Sequence, residues 1–233
     1  MFRTLRMTAL VASTALVSAG LSVGFSAGTA AADEACSVRS YQTKKDISTV
    51  GITHTYEKIA SSDSIGVGTA VTYKIVVGTT GIGNPYVNTI TDFPPTGFGA
   101  PIKTTVTAYH AGAGQRTEAV TATPNAGGWK VTSTGWFVNS GNPVTLNITY
   151  PVPDNLRAGQ QVTTGGVGVA GTVGVSNEMP NLTACFTARG ANPGETVLGS
   201  LGDNGLGSSE GQLSSTGSFS DVLADVLRKY LGS

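Results

Sequence analysis

Val71, Tyr73, Ile75 and Val77 alternate with Thr72, Lys74 and Val76. Side chains along an extended strand point to opposite faces in turn, so this period of two places the first set on one buried face. Val, Ile, Tyr and Thr also suit a pleated, half-buried surface. The segment predicts a strand. Gly78 to Pro85 supplies turn chemistry, and a second strand follows with Tyr86, Asn88 and Ile90 on one face and Val87 and Thr89 on the other. Asp92-Phe93-Pro94-Pro95 ends it, because consecutive prolines cannot continue a ladder.

The same grammar recurs along the chain. Early strands are expected before Ala60, including the run from Gly51 to Tyr56. Ile102–Tyr109 alternates Thr with apolar residues, His110–Arg116 reads as a turn, and Glu118–Thr123 as a short strand. Trp129 shares a face with Val131, and Trp136 with Val138. Val144, Leu146, Ile148 and Tyr150 alternate with Thr145, Asn147 and Thr149. Val167, Val169, Gly171, Val173 and Val175 fall on one face of a glycine-rich run, and Leu182–Thr187 carries the last strand. No helical period appears between Asp33 and Arg189. Short strands divided by Gly, Pro and Asn turns indicate an all-β sandwich or barrel, between which the proline-rich corners and the resemblance given next together favour the sandwich.

The strand Val67-Gly68…Val71-Thr72-Tyr73…Ile75…Val77, the turn after it, and the strand ending Thr91-Asp92…Pro95…Gly97-Phe98 resemble the DUF11-type repeat of bacterial secreted and surface proteins. Gly171-Thr172 followed by Asn177 is similar to that repeat's last hairpin. The likeness spans roughly 65–188. It departs at Thr79-Thr80-Gly81, where the family has Asn-x-Gly, and in a longer middle from Ile102 to Tyr150. The resemblance implies an immunoglobulin-like β-sandwich that works as a spacer, stalk or adhesive module, with no catalytic residues to carry over. Related surface domains form an internal Lys–Asn isopeptide bond assisted by a buried carboxylate. That implies Lys58 rather than Lys74 as the amine, because Lys74 faces away from the apolar set. Asn177 would be the partner and Asp92 (or Glu118) the acid.

The address is read from the first residues. Arg3 and Arg6, the apolar run from Met7 to Phe25 and the small residues Ala30-Ala31-Ala32 read as a secretory signal peptide over 1–32, cleaved after Ala32. Cys36 and Cys185 are then the cysteines of an exported protein, expected to form one disulfide that clips the first segment of the β-rich region (33–189) to its last strand. Residues 190–217, rich in Gly, Ser, Asn and Leu, read as a flexible linker. Over 218–233, Phe219, Val222, Leu223, Val226, Leu227, Tyr230 and Leu231 follow the spacing of one helical face. Ser218 serves as its N-cap. So short a helix is marginal alone in water, so this face is expected to meet a protein or envelope partner, a second copy, or the sandwich itself. It is too short and too charged to span a membrane.

Charge excludes other classes. The chain has 14 basic and 14 acidic residues, and charged residues make up only 12%. No basic patch recruits nucleic acid. Gly166-Val167-Gly168-Val169-Ala170-Gly171 matches a dinucleotide fingerprint but lies in a β run, where no helix can open. Gly207-Ser208-Ser209-Glu210-Gly211 matches a nucleophile elbow without a preceding strand. His54 and His110 are too few for a three-histidine zinc site and are expected on loops or at the surface. Leu213-Ser214-Ser215-Thr216-Gly217 lacks the proline of a sortase signal. No cofactor is expected. The function expected is a non-enzymatic secreted or cell-envelope structural or adhesive protein. The alternative is a binding module using sandwich loops or the C-terminal helix, and an extracellular hydrolase comes third.

Overall fold

The computed structural model describes residues 36–46, 51–81 and 85–195. The expected leader, most of the expected linker and the expected helical face lie outside the described residues. In chain order the strands are β1 (Arg39–Lys45), β2 (Thr53–Ala60), β3 (Ser64–Gly66), β4 (Ala70–Thr79), β5 (Tyr86–Asp92), β6 (Lys103–His110) and β7 (Gly114–Ala119). They continue as β8 (Thr123–Asn125), β9 (Gly128–Phe137), β10 (Val144–Pro151), β11 (Gln161–Thr163), β12 (Val167–Gly171), β13 (Asn177–Met179) and β14 (Cys185–Arg189).

Hydrogen bonding links β1-β2-β4-β10-β6-β9-β5-β12-β13 into one path, with β7 on β6 and β8 on β9. The step from β6 to β9 is a single residue pair, Tyr109 with Phe137. There the path doubles over. β1, β2, β4, β10 and β6 form one layer, and β9, β5, β12 and β13 the other. Side chains of β2 and β10 reach Asp92 of the second layer, which shows that the two face each other. A second small sheet, β11-β14-β3, pairs β14 with β3 in parallel. The result is a sandwich of strands, as the alternating sequence requires.

The central strand is β4. Val71, Tyr73, Ile75 and Val77 are buried, while Lys74 is exposed. Antiparallel register sets Val77 beside Val144, Ile75 beside Leu146, Tyr73 beside Ile148 and Val71 beside Tyr150. Each of these side chains is fully buried, which for a large aliphatic residue stabilises the fold by about 1.5–3 kcal/mol.

Four expectations change. In β5 Tyr86 is exposed while Val87 and Ile90 are both buried, because the register with β9 slips between Val87 and Thr89. The same slip lets Val131 and Trp136 both face inward along β9, around Gly135, whose φ of +143° brings its Cα under the Tyr86 ring. The valine run from 167 does not stay extended: it turns after Gly171, so Val173 is 47% exposed while Val175 is buried. The expected strand over Glu118–Thr123 is instead the end of β7 and the start of β8. His54 is not on a surface loop. It lies on β2 and is fully buried.

Cys36 and Cys185 are joined, with Cα atoms 5.1 Å apart and a sequence separation of 149. In the chain-entropy model, closing a loop of that length stabilises the fold by about 5 kcal/mol at most. Residues 190–195, at the start of the expected linker, are held against the sandwich. Arg189 donates to Glu195 through both terminal nitrogens, at 2.7 and 2.5 Å.

Candidate functional site

The inward row of β2 is His54, Tyr56, Lys58 and Ala60. Three of the four carry polar groups into the space between the layers. Lys58 is flanked in register by Ile75 of β4, which neighbours Leu146 of β10 and then Val106 of β6. A lysine therefore sits beside three aliphatic residues in a transverse row that has Ser40 of β1 at one end and Glu118 of β7 at the other. Leaving its charge unpaired there would cost several kcal/mol.

The second layer supplies the partners. Asp92 is the last residue of β5, and its Oδ1 lies 2.7 Å from Lys58 Nζ, with both side chains fully buried. Lys58 Nζ also donates to the carbonyl oxygens of Gly165 at 2.9 Å, Phe93 at 3.3 Å and Gly166 at 3.4 Å. Four acceptors around one nitrogen suit an ammonium with its three hydrogens. Tyr150 donates to Asp92 Oδ2 at 2.7 Å. The Tyr73 ring centroid lies 5.3 Å from Nζ, within cation–π range. Burial pulls the Lys58 amine below its ordinary pKa, and the Asp92 charge and hydrogen bond act against that pull. Burial next to Asp92 raises the Tyr73 and Tyr150 phenols, so both stay protonated.

Local sequence explains the geometry. Pro94 and Pro95 stop β5 just past Asp92, which leaves the Phe93 carbonyl free to turn towards Nζ. Gly165 and Gly166 bring their own carbonyls close because they have no side chain to hold them away. A Cβ on Gly166 would sit 2.1 Å from the Met179 oxygen, and one on Gly165 2.7 Å from the Phe93 side chain.

Of the residues singled out for a crosslink, Lys58 and Asp92 meet, as an ion pair. Asn177 stands elsewhere. Register places Val167 and Met179 in the row of Asp92, whereas Asn177 falls with Val169 in the row of Ile90. The buried Met179 is the β13 residue level with the ion pair. Sequence reading passed over Tyr150 and Tyr73 as site residues, taking them for core. The signal was their two-residue spacing within runs already identified as inward-facing. Lys58 is preferred in the sequence only because Lys74 faces away from the apolar set of β4.

Two other features bear on the sequence expectations. A surface groove of about 560 Å³ is lined by Pro94, Pro95, Phe98, Pro124, Trp129 and the 125–128 turn, with no charged side chain in its walls. Glu118 of β7 accepts from the Trp136 indole at 2.9 Å, so that acid is committed to the β6–β9 region. Among the described residues there is no group of three or more His, Cys, Asp or Glu side chains placed to hold a metal ion, and no helix long and apolar enough to cross a membrane.

Neither a protein-family model nor a curated protein matches the chain. Solved structures do. One is the RrgA Jo.In complex, at 14% identity over 57% of this chain and 76% of that one, with a TM-score of 0.38. Another is a non-cellulosomal cohesin from the hyperthermophilic archaeon Archaeoglobus fulgidus, at 11% identity over 56% and 88%, TM-score 0.36. A third is BcpA, the major pilin subunit of Bacillus cereus, at 10% identity over 66% of this chain, TM-score 0.38. The match spans 40% of that subunit's length. No residue role is transferred from any of them.

Proposed function

We propose that this chain is a non-enzymatic structural or adhesive module that works outside the cell or at its envelope, built on an immunoglobulin-like sandwich. The observation that carries the reading is the placement of the disulfide. It joins Cys36, just before β1, to Cys185, the first residue of the last strand, so β1 to β13 are enclosed in one covalent loop and only β14 beyond Cys185 lies outside it. Tension applied to the flanking segments runs through the sulfur–sulfur bond and bypasses everything between. The leader read over 1–32 supports the same setting, since such a bond persists in oxidising compartments.

The test is to pull single molecules from handles outside 36 and 185. Oxidised protein should show no long unfolding step from the sandwich, and reduced protein a step on the order of 500 Å, the contour of the released loop. A long step in the oxidised form would overturn the reading. Intact mass from medium and envelope fractions adds the address. Residues 33–233 minus two hydrogens are expected. A further loss of one ammonia would call for mapping of an internal crosslink, for which the resemblance proposes Lys58 and Asn177, although Asn177 falls in the row of Ile90 and not of Asp92.

A second reading, a binding module, is favoured by the uncharged groove beside Trp129. A neutral cell-wall polysaccharide should shift Trp fluorescence in the native protein and not in Trp129→Ala. The apolar face Phe219–Leu231 remains a proposed contact for a partner or a second copy. Deleting 218–233 should then reduce the assembly's size.

A further inference from the structure

The turn between β12 and β13 is held from outside, one residue at a time. His54 Nε2 bonds the Val173 carbonyl at 3.0 Å, Tyr56 donates to the Val175 carbonyl at 2.6 Å, and Lys44 donates to the Ser176 carbonyl at 2.5 Å. Between them lies Gly174, with φ +74°, so close to the Asp46 carboxylate that a Cβ there would stand 2.3 Å from its Oδ2. All four side chains come from β1, the residue after it, or β2. They fasten the edge of one layer to the edge of the other.

The turn they hold is strained. Val173 has φ +50°, a left-handed conformation that a β-branched residue adopts only when its surroundings impose it. Its side chain is largely exposed, so packing of the valine itself does not impose it. Within this cluster the imidazole is the group whose charge changes in mildly acidic conditions. His54 is fully buried, and its Nδ1 has no hydrogen-bond partner. The neutral ring, protonated on Nε2, satisfies the Val173 carbonyl and leaves Nδ1 as a silent acceptor. A second proton would place a buried cation with an unmet donor beside the Lys44 ammonium.

We propose that the 172–176 turn is an acid-released latch: protonation of His54 at Nδ1 uncouples the turn from the β1–β2 hairpin and lets that edge of the sandwich open. The charged and titratable groups facing the ring are Lys44 and Asp46 from the β1 side and Tyr56 from its own strand. The β12–β13 side presents backbone carbonyls. Burial dominates and lowers the imidazole below its ordinary value of 6.5, with Lys44 adding to it. The hydrogen bond to the Val173 carbonyl and, after it, the Asp46 charge favour the protonated ring, so release is driven by the cost of burying the cation and not by loss of the Nε2 donor. Once the ring withdraws to water, Val173 relaxes towards extended backbone, which is why release is self-reinforcing.

Nuclear magnetic resonance of the native protein from pH 7.5 to 4 tests this. The His54 ring should titrate with a midpoint below 6.5, and the amides of Val173 to Ser176 should shift with that same midpoint. The Asp92 amide should not. His54→Gln keeps a side-chain donor without a titrating group and should abolish the turn's response. Asp46→Asn should retain it. Val173→Gly, which removes the strain, should shrink it. A turn that ignores the His54 midpoint in the native protein overturns the proposal, even if His54→Gln fails to fold. So does a response that survives His54→Gln, or one lost in Asp46→Asn.

Discussion

Lys58 and His54 stand four residues apart on the same inward row of β2, and their surroundings treat them oppositely. Lys58 meets three carbonyl oxygens and a carboxylate that is itself bonded by Tyr150. His54 has one nitrogen engaged and one unmatched. Burial alone therefore does not decide whether a polar group is permanent. The Lys58 charge is met by an opposite charge across the layers, whereas the His54 ring has one partner for two nitrogens; the Tyr73 hydroxyl beside Lys58 is likewise buried without a hydrogen-bond partner, so the contrast lies in how charge is matched.

The largest way to break this contrast is to remove one member of the Lys58–Asp92 ion pair. Lys58→Met leaves Asp92 buried without its counter-charge and should cost about 3–5 kcal/mol in denaturant unfolding. The double variant Lys58→Met/Asp92→Leu should recover most of that loss, because Ile75, Leu146 and Val106 beside Lys58 are apolar and buried. If the double variant is as unstable as the single, the pair is holding more than its own charge. Tyr150→Phe, which strips one donor from Asp92 Oδ2, should cost less, about 1–3 kcal/mol.

At the other end of β2 the effect is conditional. The folded-state pKa of His54 lies below the unfolded 6.5, so the unfolded chain binds the extra proton more readily. Stability should be constant above pH 6.5, fall as the pH drops below it, and level off beneath the folded value. His54→Gln should flatten that segment of the curve.

The smallest effect belongs to the surface pair Arg189–Glu195. Its hydrogen bonds to Arg189 draw the Glu195 carboxyl down to about 2. A depressed carboxylate stabilises above its unfolded value of 4.5 and loses that support as the pH falls towards 2. The pair is one-third exposed, so Glu195→Gln should give a minor change in melting temperature that salt erases.

How much was legible follows from which residues occupy each row. β4 and β10 were plain, since Val71–Val77 and Val144–Tyr150 alternate apolar with polar. β2 was obscured because its inward row is His, Tyr, Lys and Ala while Ile59 faces outward, so hydropathy runs against geometry. β5 misled by a slip of register, which no periodicity announces. The Cys36–Cys185 bond was readable from count and compartment. Asp92 was visible as a motif residue, but that it closes on Lys58 depends on how the two layers face across a joint of one residue pair, information the alternation does not hold. His54 was misplaced because histidine carries little preference between core and surface, and its fate was decided by the turn that folds over it.

The strand order also has a kinetic side. β4 cannot find its neighbour β10 until Tyr150 has been reached, and β5 waits for β12 beyond Val167. Pairings this distant in sequence must meet the entropy of closing long loops before any contact rewards them, which slows folding. In a chain built this way sequence-local pairs such as β6 with β7 and β8 with β9 can form early, whereas closure of the two layers waits for the later strands, so the strand order makes closure a late event.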